Sequence, residues 1–490
     1  MTIERVNGAL RGVPPSTRLP IFIAATLWSG CAAFWVWRLQ GWTVDDFFIS
    51  YRYVANLAAG RGLVYNLGER VFGVTDPGLA LLLGFLRWIT GWRVEMLASA
   101  VFGAALVGFC VVILRAEIAR GAGLVAFIAG TLLVNSTLLW TNNGAAAPLC
   151  ALLLTIAALQ APKRALLAGT LAGLAVWVRP DAALAMPVLA WLQLRTSRRG
   201  AMVSTLAAGL VILAGLLAAN SYFGRPLPQT LHAKTQMTLG HGENLAGLNF
   251  WPAAADSFRR HLGRPWALAI LASVAGLPLL FRAASAPLRL ISALALLLAI
   301  AYPILGVPYF SWYSILEIIA GTYAAVTIVA RLTRWCAQGS GLGTPRAFAA
   351  ITTLLSVLLF LPALGRSYAM ARDYTPPQRL VIYRDAGLWL RAHSQPDDRV
   401  AHTEVGVLGY YSERPIVDLM GLVSPQPRAK RTLAIPRGLR SSAAEFVLHR
   451  AGGRSEDFVH RPWFTEAYES VAEFPDPQAR SESLVIFRRR

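Results

Sequence analysis

Acidic residues are scarce in this chain: 26 Asp and Glu stand against 46 Lys and Arg, a formal net charge of +20. Much of that excess sits in arginine clusters at the ends of apolar runs and the rest is scattered, so it reads as membrane topology and not as a nucleic-acid site. Cysteine is scarcer still. Cys31, Cys110, Cys150 and Cys336 lie in or beside apolar runs without metal-like spacing, which excludes a disulfide framework and a zinc site. Also missing are a Gly-rich nucleotide loop, a Ser-His-Asp pattern of convincing spacing, internal repeats and low-complexity tracts. Charged residues make up only 15% of the 490 positions, whereas 55% are hydrophobic, and most of these fall in long runs before position 367. That composition is the signature of a polytopic membrane protein.

A helix crossing a bilayer needs roughly 20 apolar residues. By that measure the candidate spans are 19–37, 95–114, 122–140, 145–161, 165–178, 181–194, 201–221, 266–281, 287–306, 312–330 and 348–367, about eleven with several of marginal length. Nearly twenty residues carrying Arg5, Arg11 and Arg18 precede the first run, and no small-residue cleavage site follows it, so it is expected to stay as an anchor. The segment 77–90 contains Arg87 and is short for a span. Leaving it out of the count puts every tight basic cluster on the cytoplasmic side, as the positive-inside rule demands. The segment is therefore expected to lie along or dip into the outer face of a bacterial inner membrane. The first loop, 41–94, the loop 222–265 and a polar tail, 368–490, are then extracytoplasmic, and 1–367 forms the transmembrane domain. The tail reads as a small soluble α/β domain, with strands near 399–403, 415–419 and 483–487, a helix over 378–392 and a second helix over 443–449.

On this topology the polar motifs share one side. Asp45 and Asp46 sit back to back just after the first span. A carboxylate at a membrane boundary is costly to desolvate and is kept where it pairs, binds a cation or faces a wet cavity, although the pair also suits an N-terminal cap of the next helix. Tyr51-Arg52-Tyr53 follows. Arg179-Pro-Asp181 breaks two apolar runs, and Arg179 there is either a phosphate clamp or a snorkelling arginine paired with Asp181. The stretch 222–235 holds Arg225, Gln229, His232 and Lys234 around two prolines. Trp312 and Tyr313 either stack on a sugar or form an aromatic belt, and Glu317 lies one turn further on. Nucleotide-activated donors are cytoplasmic, so transfer on the outer face takes its activated group from a lipid carrier. A polyprenyl-phosphate sugar meets that need: its phosphate wants Arg or Lys, and its acceptor hydroxyl wants a base.

The block from Asp45-Asp-Phe-Phe-Ile-Ser-Tyr-Arg-Tyr through Gly-Val-Thr-Asp-Pro77 resembles the first outer loop of GT-C glycosyltransferases, above all the terminal arabinofuranosyltransferases of mycobacteria and their bacterial relatives. Arg179-Pro-Asp is similar to that family's Arg-Pro-Glu. Pro226-Leu-Pro-Gln-Thr-Leu-His-Ala-Lys is similar to its Leu-Pro-Asn-Thr-Tyr-Tyr-Ala-Lys, with Gln229 and His232 in place of Asn and Tyr. The tail segment Val405-Gly-Val-Leu-Gly-Tyr-Tyr-Ser-Glu-Arg-Pro-Ile-Val-Asp418-Leu-Met-Gly421 resembles the family's outer domain. The resemblance implies a GT-C bundle with juxtamembrane helices in the first outer loop. It implies inverting transfer of a sugar, a pentose such as arabinofuranose, from a polyprenyl-phosphate donor to a glycan or lipid acceptor. Asp45 or Asp46 would be the base, the other orienting it or helping to hold a divalent cation, with Arg52, Gln229, His232, Trp312 and Tyr313 around the substrate. Arg179 and Lys234 would hold the leaving phosphate. Ala146, in Asn143-Gly-Ala-Ala146, stands where relatives carry the Glu of Gly-X-Glu-Thr. Two other classes stay open: a flippase for a lipid-linked glycan, and a non-catalytic envelope scaffold.

Overall fold

The computed structural model describes residues 15–231, 247–262, 284–337, 344–424, 439–440, 442–451, 458–477 and 483–490. The expected span at 266–281 lies outside them, as do His232 and Lys234. The other expected spans are helical, and the protein is a multi-pass membrane protein. Among the described residues six helices are long and apolar enough to cross a bilayer, and shorter apolar helices pack between them. In chain order the helices are α1 (Pro15–Leu39), α2 (Asp45–Ala58), α3 (Pro77–Thr90), α4 (Val94–Ile118), α5 (Gly123–Val134), α6 (Ala147–Gln160), α7 (Ala165–Val178), α8 (Ala185–Leu194) and α9 (Arg198–Phe223). They continue with α10 (Phe250–Leu262), α11 (Ala286–Ile304), α12 (Ile315–Ala337) and α13 (Pro345–Asp373).

Small residues set the tightest contact in the bundle. Gly169 and Gly173, one turn apart on α7, let that helix close on α9: a Cβ at Gly169 would stand 2.1 Å from the Ser204 carbonyl oxygen. The segment 77–90 is the helix α3, opened by Pro77 at its first turn and closed by Gly91 in the left-handed conformation. Its 14 residues make about 21 Å of helix, too short for the hydrocarbon core. The two helices of the first loop, α2 and α3, are thus the juxtamembrane pair.

Past α13 the chain forms α14 (Gln378–His393), β1 (Val400–His402), α15 (Gly406–Ser412), β2 (Ile416–Asp418), β3 (Phe446–Ala451), α16 (Pro462–Ala467), β4 (Tyr468–Pro475) and β5 (Ser483–Arg489). The strands make one sheet in the order β2-β1-β3-β5-β4. β1 runs parallel to β2 and β3, and β5 is antiparallel to β3 and β4. One expectation is overturned: 443–449, read as a helix, is largely the central strand β3. A short apolar run has no periodicity of its own to separate helix from strand. Here the ladders to β1 and β5 on either side decide the matter.

Candidate functional site

Asp45 and Asp46 occupy the first turn of α2, where carboxylates favour the positive end of the helix dipole. Neither side chain caps that helix. Asp45 instead reaches the tail domain: its two carboxylate oxygens accept the Gly406 N–H at 3.1 Å and the Val407 N–H at 2.8 Å, at the start of α15. The approach is so close that a Cβ on Gly406 would lie 2.0 Å from the Asp45 carbonyl oxygen. Asp45 lies outside the spanning segments, and burial pushes its carboxyl up to about 6. The neighbouring Asp46 charge adds to the rise; the two N–H groups and Arg379 oppose it.

The turn after α5 brings the remaining parts together. Asn143 accepts the Thr43 hydroxyl at 2.5 Å on its backbone oxygen and donates its amide to Trp42 at 2.8 Å, which fixes the approach to the aspartates. Its neighbour Asn142 accepts the Ser311 hydroxyl at 2.8 Å, which fixes the approach to Trp312. Trp312 meets Phe47, the residue after Asp46, edge to face with ring centroids 5.7 Å apart. Tyr313 packs on Tyr302 with centroids 4.9 Å apart, and the Tyr302 hydroxyl donates to Asp181. Arg179 closes the chain of contacts, with Nε 3.0 Å from Asp181 Oδ1 and Nη2 3.0 Å from the Tyr302 hydroxyl. The guanidinium fork therefore faces Asp181, the arrangement of a paired arginine. Glu317 is buried nearby on α12, and its Oε2 has no hydrogen-bond partner among the described residues. Ala146 is buried beside the asparagine turn.

A chain of contacts thus runs from the aspartate helix through Phe47 to Trp312 and Tyr313, and from Tyr313 through Tyr302 to Arg179. Arg52 and Gln229 are turned elsewhere. Arg52 is buried, and its guanidinium donates to the carbonyls of Tyr65 at 2.8 Å, Gly409 at 2.7 Å and Arg414 at 2.7 Å. Gln229 gives its amide to the carbonyls of Gly421 at 2.8 Å and Ser424 at 2.9 Å. Both clamp the tail domain to the membrane half, so they hold structure where substrate contact had been expected. Asn142, Asn143 and Tyr302 were missed. Two consecutive asparagines between apolar runs were the available signal for the first two. Tyr302, inside an apolar helix, had none.

Asp45 and Asp46 fall short of a divalent-cation site on the donors present. Among the described residues no three His, Cys, Asp or Glu side chains stand close enough to hold a metal. Asp45 already spends both oxygens on backbone N–H groups. No chemical step below is routed through a metal.

An apolar bundle, two juxtamembrane helices carrying an aspartate pair, and a mixed-sheet tail docked over them define the GT-C fold. The crystal structure of ArnT from Cupriavidus metallidurans bound to undecaprenyl phosphate superposes with a TM-score of 0.54 at 11% identity, over 94% of this chain and 97% of that one. Its apo state gives a TM-score of 0.54 at 11% identity, over 96% and 98%. The Archaeoglobus fulgidus oligosaccharyltransferase in complex with zinc and sulfate gives 0.53 at 12% identity, over 93% and 72%. Among curated proteins, the terminal β-(1→2)-arabinofuranosyltransferase of Corynebacterium glutamicum is 38% identical over 85 residues, which are 17% of this chain and only 12% of that protein. The tail, residues 371–487, matches a family model described as a domain of unknown function, DUF8728.

Proposed function

We propose that the protein is a membrane glycosyltransferase that moves a sugar from a polyprenyl-phosphate donor to a glycan or lipid acceptor on the extracytoplasmic face of the inner membrane. The observation that carries this reading is the chain of contacts in a GT-C fold that links the helix bearing Asp45 and Asp46, through Phe47, Trp312, Tyr313 and Tyr302, to Arg179. In this reading Asp46 is the general base. Asp45 is committed to the Gly406 and Val407 N–H groups, and so fixes the position of its neighbour. Asp46 takes the proton of the acceptor hydroxyl as that oxygen attacks the anomeric carbon. The bond to phosphate breaks on the opposite face, giving inversion and releasing polyprenyl phosphate. Arg179 supplies positive charge toward the leaving phosphate, and Trp312 a ring face for the sugar. The likeness of the first loop and of 226–234 to arabinofuranosyltransferases supports a pentose donor and a phosphate contact from Lys234.

The Arg179–Asp181 pairing favours one other reading, a GT-C-like scaffold without turnover. Purified protein given decaprenyl-phosphoryl arabinofuranose and an arabinan acceptor separates the two. Transfer with release of decaprenyl phosphate is expected, and Asp46→Asn should lower it by about 10²–10⁴. Lipid binding without release in the unmodified protein, or full activity in both Asp45→Asn and Asp46→Asn, overturns the proposal.

A further inference from the structure

At the far end of α2 from the aspartates, the turn between α3 and α4 and the helix α15 enclose a cavity of about 580 Å³. Besides Arg52, whose guanidinium is held by backbone carbonyls, four arginines line it, Arg61, Arg87, Arg93 and Arg391, against Glu95 and Glu413. Two of these arginines are neutralised. Arg93 Nε lies 2.7 Å from Glu95 Oε1, and Arg391 Nη1 3.0 Å from Glu413 Oε1. The other two are not. Arg87 donates only to the uncharged backbone carbonyls of Gly91 and Trp92, and the Arg61 guanidinium has no partner among the described residues. The cavity therefore carries an excess of positive charge with no acid to meet it.

Its setting names the kind of anion. Leu81, Phe85, Trp88, Ile89 and Trp92 form one stripe along α3 and the turn beyond, and each is more than half exposed. An apolar stripe on a helix too short to span, ending in two tryptophans, lies in the plane of a membrane interface. Trp88 belongs to both stripe and cavity, and its neighbour Arg87 lines the cavity. The cavity mouth is thus held at head-group level, with apolar surface beside it for a lipid tail.

We propose that this cavity binds the phosphate head group of an anionic bilayer lipid, its chains lying along the α3 stripe. The site is distinct from the one around Asp46, which lies at the other end of a helix about 20 Å long. It does not depend on that site's chemistry.

The test uses the full chain in neutral detergent, titrated with acyl-chain-labelled phosphatidylglycerol, with the equivalent phosphatidylcholine, and with inorganic phosphate as competitor. Saturable binding of phosphatidylglycerol and none of phosphatidylcholine is expected. The affinity should fall about fivefold in Arg61→Gln, the loss of one interfacial arginine, and further in Arg61→Gln/Arg87→Gln, while Arg259→Gln leaves it unchanged. Arg87 also caps the end of α3, so Arg61→Gln alone, whose side chain holds nothing else, keeps the result independent of folding. Equal binding of the two lipids, unchanged affinity in Arg61→Gln, or full displacement by millimolar phosphate overturns the assignment, the last by showing a free-anion site. Because binding is read without turnover, failure here leaves the transfer reaction untouched, and failure of transfer leaves this site untouched.

Discussion

Replacing Asp45 by Asn is expected to flatten the dependence of the protein's stability on pH between about pH 4 and pH 7. The reasoning starts from the buried carboxyl, which titrates near 6 in the fold against 3.8 in the unfolded chain. A group whose folded pKa is raised contributes stability that is fully present below the unfolded value and is lost as pH rises through the folded one. Here the window runs from about 4 to about 6. At 1.36 kcal/mol per pKa unit the loss is at most about 3 kcal/mol, and partial exposure of the side chain lowers it toward about 1–2 kcal/mol. An Asn carries no charge to desolvate, so its contribution does not change with pH, but its single amide oxygen keeps only one of the two backbone N–H bonds and leaves the other unpaired, a constant cost of about 1–3 kcal/mol. Thermal unfolding of purified protein, followed by a thiol-reactive dye that reports exposure of the buried Cys110 and Cys150, gives the comparison. Wild type should lose a few °C between pH 4.5 and pH 7.5 while Asp45→Asn holds steady, so that the deficit of the variant at pH 4.5 shrinks by that amount at pH 7.5. If wild type instead gains stability with pH, or the difference between the two does not narrow, the two backbone N–H bonds outweigh burial and the sign is wrong.

Arg52→Lys should cost about 3–5 kcal/mol, because an ammonium cannot serve the separate carbonyls that the guanidinium fork holds and leaves buried acceptors unpaired. Limited proteolysis checks it: cleavage between the membrane half and the tail should appear at lower protease concentration than in wild type. Gly406→Ala should cost about 2–3 kcal/mol, since the added Cβ meets the Asp45 backbone and something must shift. Its melting temperature should fall by the same amount at pH 4.5 and at pH 7.5.

The described spans and the strands β1, β2 and β5 were legible because the solvents on the two sides of the chain impose different rules. A lipid core demands long apolar runs, and a soluble sheet demands short ones bounded by turns. The aspartate pair was legible for the same reason: charge at a membrane boundary is too costly to stay without a use. What it bonds to was hidden, because the partners of Asp45 are backbone N–H groups 361 residues away, and a backbone donor leaves no mark on residue type. The contacts of Arg52 were hidden for the same reason. Its partners are carbonyls, so the sequence shows an arginine beside tyrosines and gives no hint that its fork is spent on structure. The block 405–421 is likewise explained by what it touches. Gly406 admits Asp45, Gly409 offers its carbonyl to Arg52, and Ile416 pairs with Asn66 through bonds of 2.9 Å in each direction.

The pairing of Arg179 with Asp181 decides between a transferase and a scaffold, and a double-mutant cycle separates the two roles. Removing one partner of a buried ion pair leaves an uncompensated charge, so Arg179→Gln and Asp181→Asn should each destabilise by about 3–5 kcal/mol. The double variant Arg179→Gln/Asp181→Asn keeps both side chains at similar volume, without charge, and should recover most of that loss. Transfer should follow a different pattern if the guanidinium faces the leaving phosphate. Asp181→Asn keeps the cation and should retain turnover wherever it folds. Arg179→Gln and the double variant should both lose about 10²-fold or more, because the positive charge that stabilises the departing phosphate is gone. A double variant that regains stability and transfer together would show that Arg179 serves only to neutralise Asp181, and would move the phosphate contact to the 226–234 segment.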